Sequence, residues 1–233
     1  MDNEVDDADK VDVGSLCYGA PHQAKLLIAN PAPLTPDALE SMMTYLHKGK
    51  PCKNVFLLEQ LLFAALRTLQ VEKVRVIVQH KLMTPDALNR RHVYSEYNSD
   101  SVSYLCCACV AKAETLAQTQ AKVQCVDSLL DAGAINVNAG YYLMGESGPT
   151  PLQTLFYEHF WPRLDDAERL RLVQRMLAVG GNIRYRPHSL ARTALMLAEK
   201  NFPHLVPYLP TTLEPDGQQH TLLPRESGTD WMR

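Results

Sequence analysis

Four cysteines, Cys106, Cys107, Cys109 and Cys125, are the residues whose type and spacing first suggest chemistry. A structural zinc takes four ligands in a tetrahedron, usually as Cys-x2-Cys pairs on turns, and Cys106 with Cys109 has that spacing. Both lie inside Tyr104-Leu-Cys-Cys-Ala-Cys-Val110, a run of small and apolar residues that reads as helix. Cysteine behaves there as a compact hydrophobe, so packing is the reading adopted, and neither metal nor cofactor is expected. A Cys–His nucleophile pair needs a thiolate beside a positioned base. The 8 histidines form no recognisable catalytic signature, and His22, His47, His80 and His204 read as polar residues of helix surfaces and ends. Gly180-Gly181 follows a helix, whereas a phosphate cradle precedes one. No acid pair and no His-Glu-x-x-His arrangement stands out, so no catalytic residue is assigned.

Aromatic side chains and one arginine are better candidates, for binding. Tyr94, Tyr97, Tyr141, Tyr142, Phe160, Trp161 and Arg163 fall in or beside segments that interrupt the helical patterning. Tyr, Trp and Arg dominate interface energetics. The competing reading has Tyr141, Leu143 and Trp161 fold back over helix ends. If the set makes partner contacts, replacing Tyr141, Tyr142 and Trp161 with alanine weakens binding and leaves helical content intact.

The elements that must position these residues are helices. Residues 1–16 carry six acids against one lysine and few apolar groups, which predicts an acidic disordered tail. Residues 17–55 read as a helical cap or degenerate unit: Ala24 to Ile28 make a short apolar helix broken by Pro31 and Pro33. Thr35-Pro-Asp37 then starts another helix, in which Leu39, Met42, Met43 and Leu46 recur at helical spacing before Gly49. Between Phe56 and Leu82 two helices are expected, Leu58 to Leu69 and Val71 to Leu82. Val74 to Val78 also suits a strand, but its place after a helical stretch favours helix.

A long connection from Met83 to Ser101 opens with Thr84-Pro-Asp-Ala-Leu88, which repeats Thr35-Pro-Asp-Ala-Leu39 and predicts another short helix. Helices follow near Ser103 to Leu116 and Ala121 to Ala132, the second with Val123, Val126, Leu129 and Leu130 on one face. Ile135 to Asn138 reads as extended chain, and Tyr141 to Met144 as a hairpin turned back by Gly145 and Gly148. Next come Gly148-Pro-Thr-Pro-Leu-Gln-Thr-Leu-Phe, the insertion Phe160 to Asp165, and the helix from Leu170 to Gly180. The last pair is Thr193 to Ala198 with Pro203 to Leu209, and residues 211–233 read as a tail.

The Thr-Pro-Leu start at Thr150, the second apolar helix, its Gly180-Gly181 stop and the Asp131-Ala-Gly-Ala134 ending of the preceding unit resemble ankyrin repeats. The resemblance implies that Thr150 caps the first helix, Pro151 sits in its first turn and Gly180 or Gly181 ends the second. It covers roughly Phe56 to Leu209, within a repeat domain of residues 56–210. Equivalent positions 60, 103, 150 and 193 are spaced by 43, 47 and 43 residues, against roughly 33 in ankyrin repeats; lengths of about 40–47 also suit HEAT or armadillo units. Lys81 stands where the family usually has glycine. The order of motifs favours ankyrin. The expected fold is all-α: an ankyrin-like solenoid of about four helix-pair units with flexible termini.

Composition limits the rest. With 233 residues, 46% hydrophobic, the chain can bury a sizeable core. Its most apolar run, Val55 to Leu66, contains Glu59 and Gln60 and falls short of the roughly 20 residues that span a bilayer. The acidic start lacks the pattern of a secretory signal, so no membrane insertion and a cytoplasmic location are expected. A net charge of −3 gives no general pull toward nucleic acid, although a local basic patch is compatible with it. The 6 cysteines, Cys17 and Cys52 included, are irregularly spaced and read as reduced thiols. The resemblance implies a non-catalytic adaptor that binds a protein partner through a concave surface of stacked first helices and hairpin tips. The alternatives are a small Cys/His- or metal-dependent enzyme on a helical scaffold, and an inhibitory or immunity-type adaptor that blocks one enzyme.

Overall fold

Hydroxyl and carboxylate side chains open one helix after another. Thr84, Ser103, Thr115, Thr150, Asp165 and Thr193 each hold extended backbone and accept a hydrogen bond from the amide three residues on. Each such cap contributes about 1 kcal/mol. Thr115 and Thr150 complete capping boxes with Gln118 and Gln153, and the Thr35 hydroxyl accepts from Ala38 N at 3.1 Å. The resulting architecture is that of a computed structural model describing residues 28, 30, 32–46, 55–93, 101–143, 146–188 and 191–209. The two tails expected at 1–16 and 211–233 lie outside the described residues.

The described chain is mostly helical. In order come α1 (Pro36–Leu46), α2 (Val55–Arg67), α3 (Val71–Val78), α4 (Pro85–Leu88), α5 (Tyr104–Val110), α6 (Leu116–Asp131), α7 (Pro151–Thr154), α8 (Asp166–Ala178), α9 (Ala194–Asn201) and a 3-10 turn, Pro203–Tyr208. Val74 to Val78 is helical, with Val74, Ile77 and Val78 buried. None of the described helices is long and apolar enough to cross a membrane. Helix α2 packs on α3 and α5, α5 on α6 and α7, and α7 on α9, while α3 lies against α1 and α6.

Helices α2, α5 and α7 are enclosed. Leu58, Leu61, Leu62, Ala65 and Leu66 of α2, Tyr104 through Cys109 of α5, and Pro151 through Thr154 of α7 are all buried. These side chains of the expected first helices are committed to packing, while Arg67 of α2 and Met196 of α9 stay exposed.

Four short strands join the helices in one small antiparallel sheet of order β1-β2-β3-β4: Arg91–Val93, Ser101–Ser103, Tyr142–Leu143 and Glu146–Ser147. Ser101 pairs with Tyr142, so the connection that begins at Met83 and the later hairpin are hydrogen-bonded to each other. The extended reading of Ile135 to Asn138 does not hold. The Ile135 amide goes to the Asn89 side chain at 2.8 Å and the Val137 amide to Ile135 O at 2.8 Å, which spends their donors on a clamp and a tight turn. Helix α6 starts five residues before the expected Ala121, at the Thr115 cap.

Buried cations tie the loops down. The Lys73 amine donates to Ile28 O and Asn30 O, each at 2.5 Å. Lys122 donates to Ala111 O and Phe160 O. Arg169 donates to Leu155 O and Leu164 O and lies 4.0 Å over the Phe202 ring. A charge out of water is costly unless it is so satisfied, which makes these loop carbonyls structural ligands of the helices.

Candidate interaction cleft

The hairpin and the loop after α8 enclose a cleft of about 270 Å³. One wall is Ser147, Gly148 and Pro149, leading out of β4; the other is Pro187, His188, Ala191 and Arg192. Gln153, 3% exposed, bolts the two walls together. Its Oε1 accepts from Thr150 N at 2.8 Å, and its Nε2 donates to Arg192 O at 2.6 Å. The loop is braced further by Ala191 N to His188 O at 3.1 Å and Leu195 N to Ile183 O at 3.0 Å. Small-molecule pockets are typically ~300–1,000 Å³, so this volume suits a side chain or short loop of a larger partner.

The wall is aromatic behind its rim. A Cβ built on Gly148 would come within 2.1 Å of the Tyr141 ring, so only glycine admits that ring there. Tyr157, which lines the cleft, meets Phe160 edge-on at 6.0 Å, and Phe160 lies 4.1 Å from the His159 ring.

The cleft's electrostatic character comes from an uneven distribution of acids. Between Glu168 and Glu199 the chain has six arginines and no acid. Arg169 reaches Glu158 at 3.4 Å, Arg171 pairs with Asp127 at 2.7 Å and Glu168 at 2.6 Å, and Arg175 pairs with Asp127 and Asp131. Arg186 reaches the Met196 sulfur at 3.6 Å. The exposed Arg192 guanidinium has no carboxylate partner among the described residues.

The sequence-derived set divides. Tyr94 and Tyr97 lie outside the described residues. Tyr141 and Phe160 are half-buried and support the cleft from behind; Tyr142 is half-buried in β3, opposite Ser147. Arg163 is exposed at φ 62°, in the left-handed region. Trp161 is removed from the contact set: it is 0% exposed, its Nε1 donates to Thr154 Oγ1 at 3.2 Å, and the Lys122 amine lies 4.4 Å from its ring. Thr119 Oγ1 adds a bond to Pro162 O at 2.7 Å, so the insertion at 160–165 is fastened inward. The triple alanine variant would therefore disrupt the core as well as the surface. Gln153, Tyr157, His188 and Arg192 were missed; the acid-free arginine run was their signal.

The cysteines are packing groups. Cys106, Cys107, Cys109 and Cys125 are buried free thiols. Burial pushes Cys107, Cys109 and Cys125 up to about 12, against weaker opposing pulls from Arg67, Lys122 and Arg75 respectively. A nucleophile needs the thiolate, which this environment disfavours. Among the described residues no cluster of three His, Cys, Asp or Glu is placed to hold a metal ion. His80 and His204 are polar partners of Glu40 and Asp166, at 2.9 and 2.8 Å. Labelling of the four buried thiols is expected to be on the order of 1,000-fold slower in the native protein than in denaturant, since exposure requires opening the core. Peptide mapping after alkylation measures this, and rapid native labelling of any of the four would restore a reactive-cysteine reading.

No protein-family model, curated protein or solved structure matches the chain.

Proposed function

We propose that the chain is a non-catalytic protein-binding module, an ankyrin-like stack of helix pairs whose binding edge is the hairpin-and-loop cleft. The observation that carries this reading is a joint built twice. Gly133 and Gly180 end α6 and α8 at φ 94° and 96°. Around each, the amide after the glycine bonds five residues back and the glycine amide three back, a Schellman arrangement. Into each joint an earlier asparagine inserts: Asn89 Nδ2 donates to Gly133 O and Asn138 Nδ2 to Gly180 O, both at 3.0 Å. Each asparagine Oδ1 then accepts from the amide two residues beyond the glycine, Ile135 or Asn182. The partners are 42 to 46 residues apart. The same unit-to-unit step recurs in the α8-to-α6 pairs of Arg171 with Asp127 and Arg175 with Asp131.

Stacked units share stability through such interfaces. Asn138→Ala leaves Gly180 O and Asn182 N without that partner and is expected to cost about 1–2 kcal/mol. It should also separate the urea transitions seen by tryptophan fluorescence and by far-UV circular dichroism; coincident transitions with unchanged midpoint would count against the stack. The binding role is tested by affinity capture from the cells that make the protein, with Ala191→Trp as the control that fills the cleft. A protein partner held stoichiometrically by the wild type and released by the control is expected. Retention by both would move the binding site off this edge.

A further inference from the structure

We infer that the cleft binds an acidic peptide segment of the partner, with Arg192 pairing to its carboxylate; this inference rests on the protein-binding reading above. Three features converge on it. The first is charge. Arg192 stands exposed at the cleft in the stretch from Arg169 to Ala198 that contains no acid, and Glu158, Asp127 and Asp131 pair with Arg169, Arg171 and Arg175. A guanidinium fork matches a carboxylate in two parallel hydrogen bonds, and nothing in the described residues already fills that fork.

The second feature is preorganisation. The Arg192 carbonyl is gripped by Gln153 Nε2 at 2.6 Å, and Gln153 is itself held by Thr150. The backbone that carries Arg192 is thus fixed to the first turn of α7 before any ligand arrives, which lowers the ordering cost of binding. The third is shape. Pro149 and Pro187 offer apolar faces on opposite walls, with Ser147, Tyr157 and His188 supplying polar atoms around a space of about 270 Å³. That space accommodates one acidic side chain and its flanking backbone.

The probe is a short, fluorescently labelled Asp-Gly-Asp-Gly peptide, with its Asn-Gly-Asn-Gly counterpart, titrated into the full chain and followed by anisotropy. The acidic peptide is expected to bind at least ~10-fold more tightly than the amide form. Its affinity should fall as salt is raised from about 50 to about 300 mM, because the pair is screened. Arg192→Glu should remove the preference for the acidic peptide, and Arg192→Lys should keep part of it; circular dichroism verifies that both variants fold.

Equal binding of the two peptides, or an Arg192→Glu chain that still prefers the acidic one, overturns the inference. Displacement by inorganic phosphate alone at equal concentration would reassign the site to a small anion and also overturn it. Tighter peptide binding after deletion of residues 1–16 would name the chain's own acidic N-terminus as occupant and overturn the partner assignment. Loss of the captured protein partner with Ala191→Trp, combined with indifference to Arg192→Glu, would preserve the protein-binding reading while removing the acidic ligand.

Discussion

Trp161→Ala is expected to lower the stability of the protein by about 3–5 kcal/mol, the usual range for deleting a fully buried indole. Three losses combine. The ring is 0% exposed and belongs to the hydrophobic core, so its removal leaves a cavity there. The indole Nε1 bond to Thr154 Oγ1 disappears. The Lys122 amine, 4.4 Å from the ring, loses its aromatic partner while still buried, and burial already pushes its pKa down to about 8. Set against the roughly 5–15 kcal/mol that separates folded from unfolded domains, the change is a large fraction of the total. Trp161→Phe keeps a ring beneath Lys122 and should cost about 1–2 kcal/mol, mostly the hydrogen bond and the smaller volume. Urea denaturation of the three proteins measures the series. A Trp161→Ala midpoint indistinguishable from wild type would place the indole outside the core and return it to the contact set.

The contrast with Tyr142 shows why sequence alone mixed the two roles. Trp161 follows Tyr157, His159 and Phe160 in a segment that also holds Pro162 and Arg163, and such composition reads as surface. Its burial depends on Lys122 and Thr119 of α6 donating to the carbonyls of Phe160 and Pro162, partners set by packing some 40 residues away. Local signals fared better: Thr-Pro at Thr35, Thr84 and Thr150 marks real helix starts, and Gly180 ends α8 at positive φ. Even the early start of α6 was legible, in the Thr115-x-x-Gln118 box, but the apolar face beginning at Val123 drew the boundary too far along. Of the sheet, the hairpin of β3 and β4 was legible in Tyr141 to Met144 and its glycines, whereas β1, β2 and their pairing to it were not. The strands are two or three residues long, and Ser101 finds Tyr142 only after the intervening helices have packed. The cleft was concealed by averaging, since a net charge of −3 hides an acid-free run between Glu168 and Glu199.

Alkaline pH is expected to unfold the protein cooperatively between about pH 10 and 12, driven by its buried thiols. In the unfolded chain a cysteine ionises near its ordinary value of 9.0, whereas burial holds Cys107, Cys109 and Cys125 up to about 12 in the folded protein. Their contribution is complete below pH 9. Above it the unfolded state sheds protons that the folded state retains, so stability falls by about 1.4 kcal/mol per pH unit for each thiol, about 4 for the three. Burial also pushes the Tyr104 phenol up, which adds to the loss at the highest pH. Lys122 acts in the opposite sense. Burial lowers it from 10.5 to about 8, so the folded state releases its proton first and stability gains about 1.4 kcal/mol per unit between those values. The gain stands alone from pH 8 to 9, offsets one thiol until pH 10.5, and then ends. Stability should therefore peak near pH 9 and decline steeply beyond 10.5. Chemical denaturation at a series of pH values follows the curve, with thiolate absorbance recorded in parallel. Cys109→Ala should flatten the slope beyond pH 10.5 by about a third, and Lys122→Met should remove the rise from pH 8 to 9. Thiolate absorbance from the buried cysteines appearing near pH 9 while the helical signal remains intact would show that these thiols are not enclosed, and with them the packing of α5 against α6.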